Sequence, residues 1–360
     1  MQRGELFWQR KYEIAAMNRR PLLMRCGAFG DMVLMTPFIR ELATRFGEPV
    51  DVISSGAWTR PLLEGQPGVG DIYVLGSRRR PYLISPDQWQ LVKTLRRRSI
   101  GPTWFLDPGG IGKRLLSRAG INDEWIVDAA AYPRVAQEHQ LERWWRIANR
   151  MPQALSHPPP PLSAHAIPGA LIETTPAGRA LLADWLSTYA LTGKRLLLVQ
   201  AGNKRTMRRG DRRRASNTKY WPEEHWARLI DDMQMRCPTH TILLVGVAQE
   251  KTLNDDILRH IKTAHAINVA SDHPLERYFA LLAYADAMVS VDTGPAHAAA
   301  AMGLPEVVLF GQGDPTFMRP WGAPQAPVIC LKGDDPQVLS TLSVDKVIAS
   351  WRSLPLRLGG

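Results

Sequence analysis

Short apolar runs alternate with longer amphipathic segments along most of the chain. In the first half, PLLMRCG, VDVIS, DIYVLG and TWFLDPGG predict buried strands, and MVLMTPFIRELATRFG and QLERWWRIANRM have apolar residues at helical spacing. Gly47 is expected to end the first of these helices. Strands that alternate with helices build parallel sheets with crossover connections, so this half is predicted to be an α/β domain.

The alternation stops at a proline-rich stretch and then starts again. Residues 151–168, MPQALSHPPPPLSAHAIP, suit a stiff polyproline connector. Beyond it, RLLLVQAG, TILLVG, INVA, AMVSVDTG and EVVLFG predict strands, with helices on WPEEHWARLIDDMQM, ERYFALLAYA and PAHAAAAMG. The sequence therefore predicts an α/β fold with two Rossmann-like doubly wound domains that face a central cleft, which is the expected active site.

The predicted organisation has five parts. Residues 1–20 form a basic leader, residues 21–150 the N-terminal domain, and residues 151–190 the linker with a connecting helix. Residues 191–335 form the C-terminal domain, and residues 336–360 form a helix or tail that is expected to pack back on the N-terminal domain.

Composition and charge narrow the class of protein. The chain has 360 residues, of which 45% are apolar and 22% charged, and these values fit a globular protein. A formal net charge of +11 predicts an anionic partner, which leaves nucleic acid, a phosphorylated small molecule and an acidic membrane surface open.

Cysteine usage and the terminal sequence bear on location. Cys26, Cys237 and Cys330 are far apart and outside any C-x-x-C pair, which favours a reducing cytoplasm. The N-terminal stretch lacks the apolar core of a signal peptide, and no run of roughly eighteen apolar residues is free of charge. We expect a cytoplasmic protein whose membrane contact is peripheral.

The stretch VSVDTGPAHAAAAMG predicts an anion-binding site. A buried strand runs into Asp292, Thr293 and Gly294, and Pro295 opens a helix whose first turn has free backbone N–H groups. The helix start supplies donors and partial positive charge, and glycine lets a phosphate approach closely. The alternative is an ordinary helix cap by Asp292 or Thr293, with His297 packed in the first turn.

The stretch RCGAFGD predicts a carboxylate at the end of the first strand. Asp31 follows Gly27 and Gly30, and these glycines are expected to leave room for a sugar beside it. A carboxylate in this place is a candidate general base. The alternative is a first-turn acid that stabilises the helix dipole.

Three blocks of the sequence resemble glycosyltransferase family 9, the ADP-heptose:lipopolysaccharide heptosyltransferases. They are RCGAFGDMVLMTPFIREL, KYWPEEHWARL and DTGPAHAAAAMGLPEVVLFG, in the order seen in that family, and the resemblance covers roughly residues 21–321. It implies a GT-B type fold and an inverting transfer of heptose from ADP-heptose to the lipopolysaccharide core. The N-terminal domain would then bind the acceptor and the C-terminal domain the nucleotide sugar.

The resemblance also implies roles for individual residues. Asp31 would be the general base, and Lys219 would contact the donor phosphates. The implied donor-binding residues are Lys219, Glu250, Asp292, Thr293, Gly294 and His297, and the expected acceptor-binding residues are Gly30, Arg78, Arg79, Arg80, Lys113 and Arg114. For Glu250, expected at the ribose hydroxyls, a solvent-facing position at a helix start is the alternative.

Cofactors and partners follow from the same resemblance. No cluster of metal-ligating residues stands out, so we expect no metal and no cofactor beyond the donor substrate ADP-heptose. The expected partners are a lipid-linked oligosaccharide acceptor and the anionic cytoplasmic face of the inner membrane, without nucleic acid.

One segment departs from the family pattern. Residues 204–214 form a basic loop before Lys219, including Arg212, Arg213 and Arg214. The loop is either a solvated charge run, a lid over the donor pyrophosphate, or a contact with phosphates on lipid A or the inner leaflet. A second basic cluster, Arg96 to Arg98, adds to the candidate acceptor region.

Three competing functions remain open from the sequence. The first is a related enzyme with another nucleotide sugar or acceptor, including protein, or one that hydrolyses or epimerises its substrate. The second is a basic nucleic-acid-binding protein, although no reading module is present. A dehydrogenase is disfavoured because GAFGD lacks the full G-x-G-x-x-G pattern.

Overall fold

The computed structural model divides the chain into two compact units, Met1–Ile167 and Pro168–Gly360. The residues it describes are 20–76, 80–162, 167–203, 211–322 and 326–357, without the side chains of residues 211–213. The boundary falls inside the segment 151–190 that the sequence marks as a linker. The basic leader lies outside the described residues except for Arg20.

The first unit contains a parallel sheet of five strands in the order β3-β2-β1-β4-β5. The strands are β1 (Leu22–Met24), β2 (Val50–Ser55), β3 (Val69–Leu75), β4 (Thr103–Phe105) and β5 (Ile126–Asp128). The first two strands and β4 are buried, because they lie in the centre of the sheet between two helical layers.

Six helices accompany this sheet among the described residues. They are α1 (Phe29–Val33), α2 (Thr36–Phe46), α3 (Thr59–Leu63), α4 (Pro86–Arg97), α5 (Gly110–Arg118) and α6 (Gln140–Ala148). The single helix predicted on MVLMTPFIRELATRFG is two helices, since Pro37 occupies the first turn of α2 and cannot donate a hydrogen bond that would continue α1. The predicted end at Gly47 is confirmed, with φ at 65°.

The second unit contains a parallel sheet of six strands in the order β11-β10-β9-β6-β7-β8. The strands are β6 (Arg195–Gln200), β7 (His240–Leu244), β8 (Ala266–Asn268), β9 (Ala287–Val291), β10 (Glu306–Phe310) and β11 (Val328–Lys332). Strands β9 and β10 are fully buried, which explains their continuous apolar sequence.

The second unit has seven helices in the part of the chain that is described. They are α7 (Pro176–Thr188), α8 (Glu223–Arg236), α9 (Lys251–His260), α10 (Leu275–Tyr284), α11 (Gly294–Ala301), α12 (Pro315–Met318) and α13 (Val344–Ser353). The C-terminal segment was expected to pack on the N-terminal domain, whereas Val347 and Trp351 of α13 lie in the core of the second unit, against helix α8.

The strand orders locate the candidate binding sites. In the first sheet the chain begins at β1 and extends to β2 and β3 on one side and to β4 and β5 on the other. The second sheet repeats this arrangement about β6 and β9. Ligands bind α/β sheets at such reversals, beyond the carboxyl ends of the strands, which is where Asp31 and Thr293 follow β1 and β9.

Candidate active site

Asp31 lies in the first turn of helix α1, directly after the carboxyl end of β1. Its Oδ2 accepts a hydrogen bond from the backbone N–H of Ala28 at 2.9 Å and lies 3.3 Å from Nη2 of Arg25. The alternative of a first-turn acid is therefore what the local structure shows, with an ion pair in addition. Among the described residues no donor bonds to Oδ1, which is the oxygen left for a substrate.

Gly27 makes room for this ion pair and not for a ligand. A Cβ atom at Gly27 would lie 2.8 Å from Oδ2 of Asp31 and 2.9 Å from Nε of Arg25. The sequence-based expectation that Gly27 opens space for a sugar is wrong, because the side chains of Asp31 and Arg25 fill that space. Gly30 is buried within α1.

Arg25 connects Asp31 to the neighbouring strand. Its Nη1 donates to the carbonyl oxygen of Leu106 at 2.8 Å and lies 3.9 Å from Oδ1 of Asp107. The same Asp107 oxygen accepts from the backbone N–H of Cys26 at 2.7 Å. These contacts tie the ends of β1 and β4 together beneath the catalytic candidate.

The candidate acceptor-binding residues differ in their exposure and in their ion pairs, and two of them lie outside the described residues. Arg78 and Arg79 lie outside the described residues, and Arg80 is exposed. Nζ of Lys113 lies 3.3 Å from carboxylate oxygens of both Asp123 and Asp128, so its charge is already neutralised. Arg114, on α5, is exposed, and the described residues offer it no ion pair.

The cluster from Arg96 to Arg98 is partly structural. Nε of Arg98 lies 2.6 Å from Oδ2 of Asp51, which is buried near the amino end of β2. Nε of Arg96 donates to the carbonyl oxygen of Arg118 at 3.0 Å. Arg98 is therefore not an acceptor-binding residue, because it pairs with a buried carboxylate near the amino ends of the strands, whereas Asp31 lies beyond their carboxyl ends.

In the second unit, Lys219 is paired with Asp292. Nζ of Lys219 lies 2.5 Å from Oδ2 and 2.5 Å from the carbonyl oxygen of Asp292, immediately after β9. Two glycines of the loop after β10 allow this approach. A Cβ at Gly313 would lie 2.9 Å from Oδ2 of Asp292, and one at Gly311 would lie 1.9 Å from the carbonyl oxygen of Thr218.

Thr293 precedes helix α11 and does not cap it. Its side chain is buried, makes no cap hydrogen bond, and its Oγ1 has no hydrogen-bond partner among the described residues. Because Asp292 is held by Lys219 instead, the ordinary cap that was the alternative reading is wrong. Gly294 opens the helix, with Pro295 in its first turn and His297 buried behind it. The backbone donors of this turn are thus left for an anion.

Glu250 is buried, with 3% of its surface exposed, which excludes the solvent-facing alternative. Its Oε1 accepts from Nε2 of Gln200 at 3.1 Å and its Oε2 from the backbone N–H of Val247 at 2.8 Å. A Cβ at Gly202 or at Gly246 would approach these carboxylate oxygens to 2.9 and 2.8 Å. The carboxyl group therefore sits at the carboxyl ends of β6 and β7.

Burial shifts the acid–base behaviour of Glu250. Desolvation raises the pKa of its carboxyl group to about 7, against the opposing effect of the hydrogen bonds from Val247 and Gln200. Near neutral pH the group is therefore divided between a protonated form that can donate a hydrogen bond and an ionised form that can only accept.

The end of the basic loop is a buried anchor. Nη2 of Arg214 lies 2.8 Å from Oε1 of Glu223 and 2.5 Å from Oδ2 of Asp256. For Arg214 the reading as part of a solvated charge run is wrong, since it joins the start of α8 to α9. Residues 204–210 and the side chains of Arg212 and Arg213 lie outside the described part of the chain.

Two partners of the candidate residues escaped the sequence analysis. Arg25 stands directly before the glycine turn, and a charged residue after a buried strand is a signal that points to it. Gln200 ends the apolar run RLLLVQ in the same way and contacts Glu250, fifty positions away in the sequence. Within the described residues no group of three His, Cys, Asp or Glu side chains forms a metal site. Metal independence stays a prediction.

The chain is similar in sequence to a known protein family and to curated proteins. Residues 212–346 match the model of glycosyltransferase family 9 (heptosyltransferase). The chain is 25% identical to lipopolysaccharide heptosyltransferase 2 of Salmonella typhimurium over 313 residues, which cover 81% of this chain and 82% of the relative. It is 23% identical to the Escherichia coli protein of the same name over 312 residues, with the same coverage.

Solved structures show the same fold. A glycosyl transferase of family 9 from Veillonella parvula superposes with a TM-score of 0.75 at 17% identity, over 93% of this chain and 96% of that one. The Escherichia coli ADP-heptose lps heptosyltransferase II gives a TM-score of 0.69 at 21% identity, over 93% and 98%.

The two parallel sheets and these superpositions define an α/β fold of the GT-B type, as predicted. The family match and the curated relatives show that the chain is similar to glycosyltransferase family 9, the heptosyltransferase family. None of the helices in the described ranges is long and apolar enough to cross a bilayer.

Proposed function

We propose that this protein is an inverting glycosyltransferase that transfers heptose from ADP-heptose to the core oligosaccharide of lipopolysaccharide. The names of similar proteins support the donor and acceptor, since the curated relatives are lipopolysaccharide heptosyltransferases and one similar structure is an ADP-heptose lps heptosyltransferase. The second unit would hold the nucleotide sugar and the first the acceptor.

The observation that carries the donor site is the environment of Thr293. The buried hydroxyl of Thr293 lies at the start of the eight-residue helix α11 and has no partner among the described residues. Lys219 is held beside it through its ion pair with Asp292, the residue that follows β9. A diphosphate would accept hydrogen bonds from Oγ1 and from the backbone of the first turn of α11, and Lys219 would add a positive charge. Glu250, at the ends of β6 and β7, would hydrogen-bond the ribose hydroxyls.

The reaction would divide between the two units. Oδ1 of Asp31 takes the proton of the acceptor hydroxyl, and the hydroxyl oxygen attacks the anomeric carbon of the donor. The bond from that carbon to the diphosphate oxygen breaks, ADP leaves with the electron pair, and the anomeric configuration inverts. Lys219 and the start of α11 stabilise the charge on the leaving diphosphate, so the step needs no metal.

The same proposal includes the location of the enzyme. A lipid-linked acceptor and a net charge of +11 support peripheral association with the anionic cytoplasmic face of the inner membrane.

Calorimetric titration with ADP, UDP, GDP and CMP, in the presence of EDTA, tests the donor site. We expect ADP to bind best, with a loss of roughly tenfold or more in Lys219→Ala and Thr293→Ala because each removes a phosphate contact. Exposed Lys251 and Thr188 supply matched controls, and their alanine variants should bind like wild type. Preference for another nucleotide, or normal ADP binding by both site variants, would refute the donor assignment.

A transfer assay completes the test. Purified protein, ADP-heptose and heptose-deficient lipopolysaccharide should give the product with inverted configuration, and Asp31→Asn should lose at least roughly a hundredfold in kcat with ADP affinity unchanged. A variant that keeps wild-type kcat would exclude Asp31 as the base.

A further inference from the structure

The N-terminal unit exposes large apolar side chains at one corner. Leu83 and Ile84, in the turn before α4, are 82% and 65% exposed, and Trp89 on α4 is 45% exposed. Single exposed apolar residues are ordinary, whereas three within seven positions form a patch. Side chains this exposed project from the surface and do not line a groove.

Local hydrogen bonds hold this turn in place. Oγ of Ser85 donates to the carbonyl oxygen of Pro81 at 2.9 Å, and Nε2 of Gln88 donates to that of Arg80 at 3.0 Å. Oδ2 of Asp87 accepts from the backbone N–H of Gly76 at 2.9 Å. Leu83 and Ile84 are thus presented to solvent by a turn whose polar groups are satisfied inside the protein.

Cations share the exposed face of α4 with Trp89. On α4, Leu91, Val92 and Leu95 face the core, and the opposite face carries the exposed Trp89, Lys93, Arg96 and Arg97. Arg80 is also exposed, and the guanidinium of Arg118 lies 4.5 Å from the ring centroid of Tyr82. Residues 80–101 contain a single acid, Asp87, which is the one bound to Gly76.

We propose that this basic corner, made of Leu83, Ile84 and Trp89 with Arg80, Lys93, Arg96 and Arg97, docks the enzyme on an anionic lipid surface. The inference rests on the proposed function, which requires an acceptor that is anchored in lipid. Projecting aliphatic side chains insert between lipid head groups, tryptophan favours the membrane interface, and the surrounding cations contact lipid phosphates. A protein partner would instead need a matching acidic surface and a recess for Leu83.

The corner also fits the rest of the unit. It lies on α4 and the turn before it, next to α5, which packs on α4 and carries the exposed Arg114. Docking here would hold the proposed acceptor-binding unit at the lipid surface.

Co-sedimentation with vesicles tests the inference. The probes are vesicles of phosphatidylethanolamine with phosphatidylglycerol, compared with phosphatidylcholine alone. We expect the anionic vesicles to bind wild type, and Leu83→Ser/Ile84→Ser to lose roughly tenfold in partition. Lys93→Glu/Arg97→Glu should lose at least roughly twentyfold, because each charge near the surface contributes about fivefold.

Two matched controls separate the corner from net charge. Lys251→Glu/Lys262→Glu makes the same charge change on exposed residues of the second unit, and Met235→Ser removes an apolar side chain that is 69% exposed. Both should bind vesicles within twofold of wild type. Equal losses in the control and corner variants would overturn the proposal, because binding would then reflect only overall charge.

A label gives a readout of insertion. Leu83→Cys, carrying a polarity-sensitive fluorophore, should shift to the blue with anionic vesicles, and labelled Met235→Cys should not. No shift at Leu83, or self-association of wild type that Leu83→Ser/Ile84→Ser abolishes, would overturn the proposal in favour of a protein contact. ADP titration of the same samples tests the donor site separately, since wild type that binds ADP but no anionic vesicle refutes the basic corner and the proposed membrane association and leaves the donor assignment standing.

Discussion

Nη2 of Arg25 lies 3.3 Å from Oδ2 of Asp31, and the same guanidinium donates from Nη1 to the carbonyl oxygen of Leu106 at 2.8 Å. Arg25 therefore fixes the candidate base against the neighbouring strand β4. The backbone N–H of Ala28 holds the same oxygen, so two donors orient the carboxylate and leave Oδ1 for the acceptor. Arg25 acts here as a positioning residue.

Replacement of Arg25 should lower turnover without affecting the donor site. We expect Arg25→Gln to reduce kcat for transfer roughly 10- to 100-fold, because a misoriented base loses most of its advantage. Arg25→Lys should recover part of this loss by restoring the ion pair without the contact to Leu106. Steady-state kinetics and ADP titration measure the two effects.

A matched control is Arg40→Gln on α2, a replacement of an arginine with no described ion pair. It should leave kcat unchanged. If Arg25→Gln also retains wild-type kcat, the ion pair has no role in positioning Asp31.

A methyl group at Gly27 should disturb the same pair. The new Cβ would lie 2.8 Å from Oδ2 of Asp31, so either the carboxylate or the turn must move. We expect Gly27→Ala to lower the free energy of unfolding by about 1–3 kcal/mol and to reduce transfer, with ADP binding intact. Denaturant unfolding and the transfer assay provide the measurements.

Gly110→Ala provides the comparison for Gly27→Ala. Its nearest neighbour would be Nη1 of Arg114 at 3.3 Å, the end of a flexible side chain. We expect little change in stability there, and similar losses in both variants would argue against a specific role of Gly27.

The central strands, the main helices and the edge strands β3 and β8 followed from sequence, and the edge strands β5 and β11 did not. The runs RLLLVQ and AMVSV are apolar throughout because β6 and β9 are covered on both faces. Strand β5 has three residues and β11 is mostly half-buried, so neither shows such a run. The sequence does not predict helix α4, because its arginines hide the spacing of Leu91, Val92 and Leu95.

The candidate site was predictable where a motif holds both the residue and its backbone setting. Thr293 and Gly294 stand between a buried strand and a proline-started helix, and this local pattern needs no distant contact. Burial of Glu250, by contrast, depends on Gln200, Gly202 and Gly246, which approach it only through the tertiary fold. The pairing of Lys219 with Asp292 depends in the same way on Gly313.

The stability of the protein should fall with rising pH because of Glu250. Its pKa is about 7 in the folded state against 4.5 for the unfolded reference, so between these values the folded protein keeps a proton that the unfolded chain releases. Glu250 thus contributes stability that is fully present below pH 4.5 and is lost as the pH rises to about 7. The difference is at most roughly 3 kcal/mol.

Glu250→Gln isolates this effect. Whatever constant offset the amide introduces, the stability of wild type relative to the variant should decline from pH 4.5 to about 7 and then level off. Urea unfolding across this range measures it, and a difference independent of pH would contradict the raised pKa. We also expect weaker ADP binding by the variant above neutral pH, where it lacks the ionised acceptor.

Arg214 should contribute more to stability than a surface arginine. Arg214→Ala leaves the buried Glu223 without its cation and Asp256 with Arg259 alone, and we expect a loss of roughly 1–3 kcal/mol in the free energy of unfolding. Arg228→Ala breaks the exposed pair with Asp345, 3.0 Å apart, and should lose less than about 1 kcal/mol. Equal losses in chemical denaturation would mean that Arg214 is no anchor.

Because Lys219 is paired with Asp292, an anionic ligand that binds Lys219 must replace the carboxylate of Asp292. In the resting protein the lysine already has its counter-ion, 2.5 Å away, so a passing anion meets a neutral pair and not an open cation. A ligand must offer enough phosphate contacts to displace the carboxylate. If the donor binds as proposed, the displaced Asp292 becomes a hydrogen-bond acceptor beside the diphosphate, and the hydroxyls of the transferred sugar supply donors there that a nucleotide without this sugar lacks.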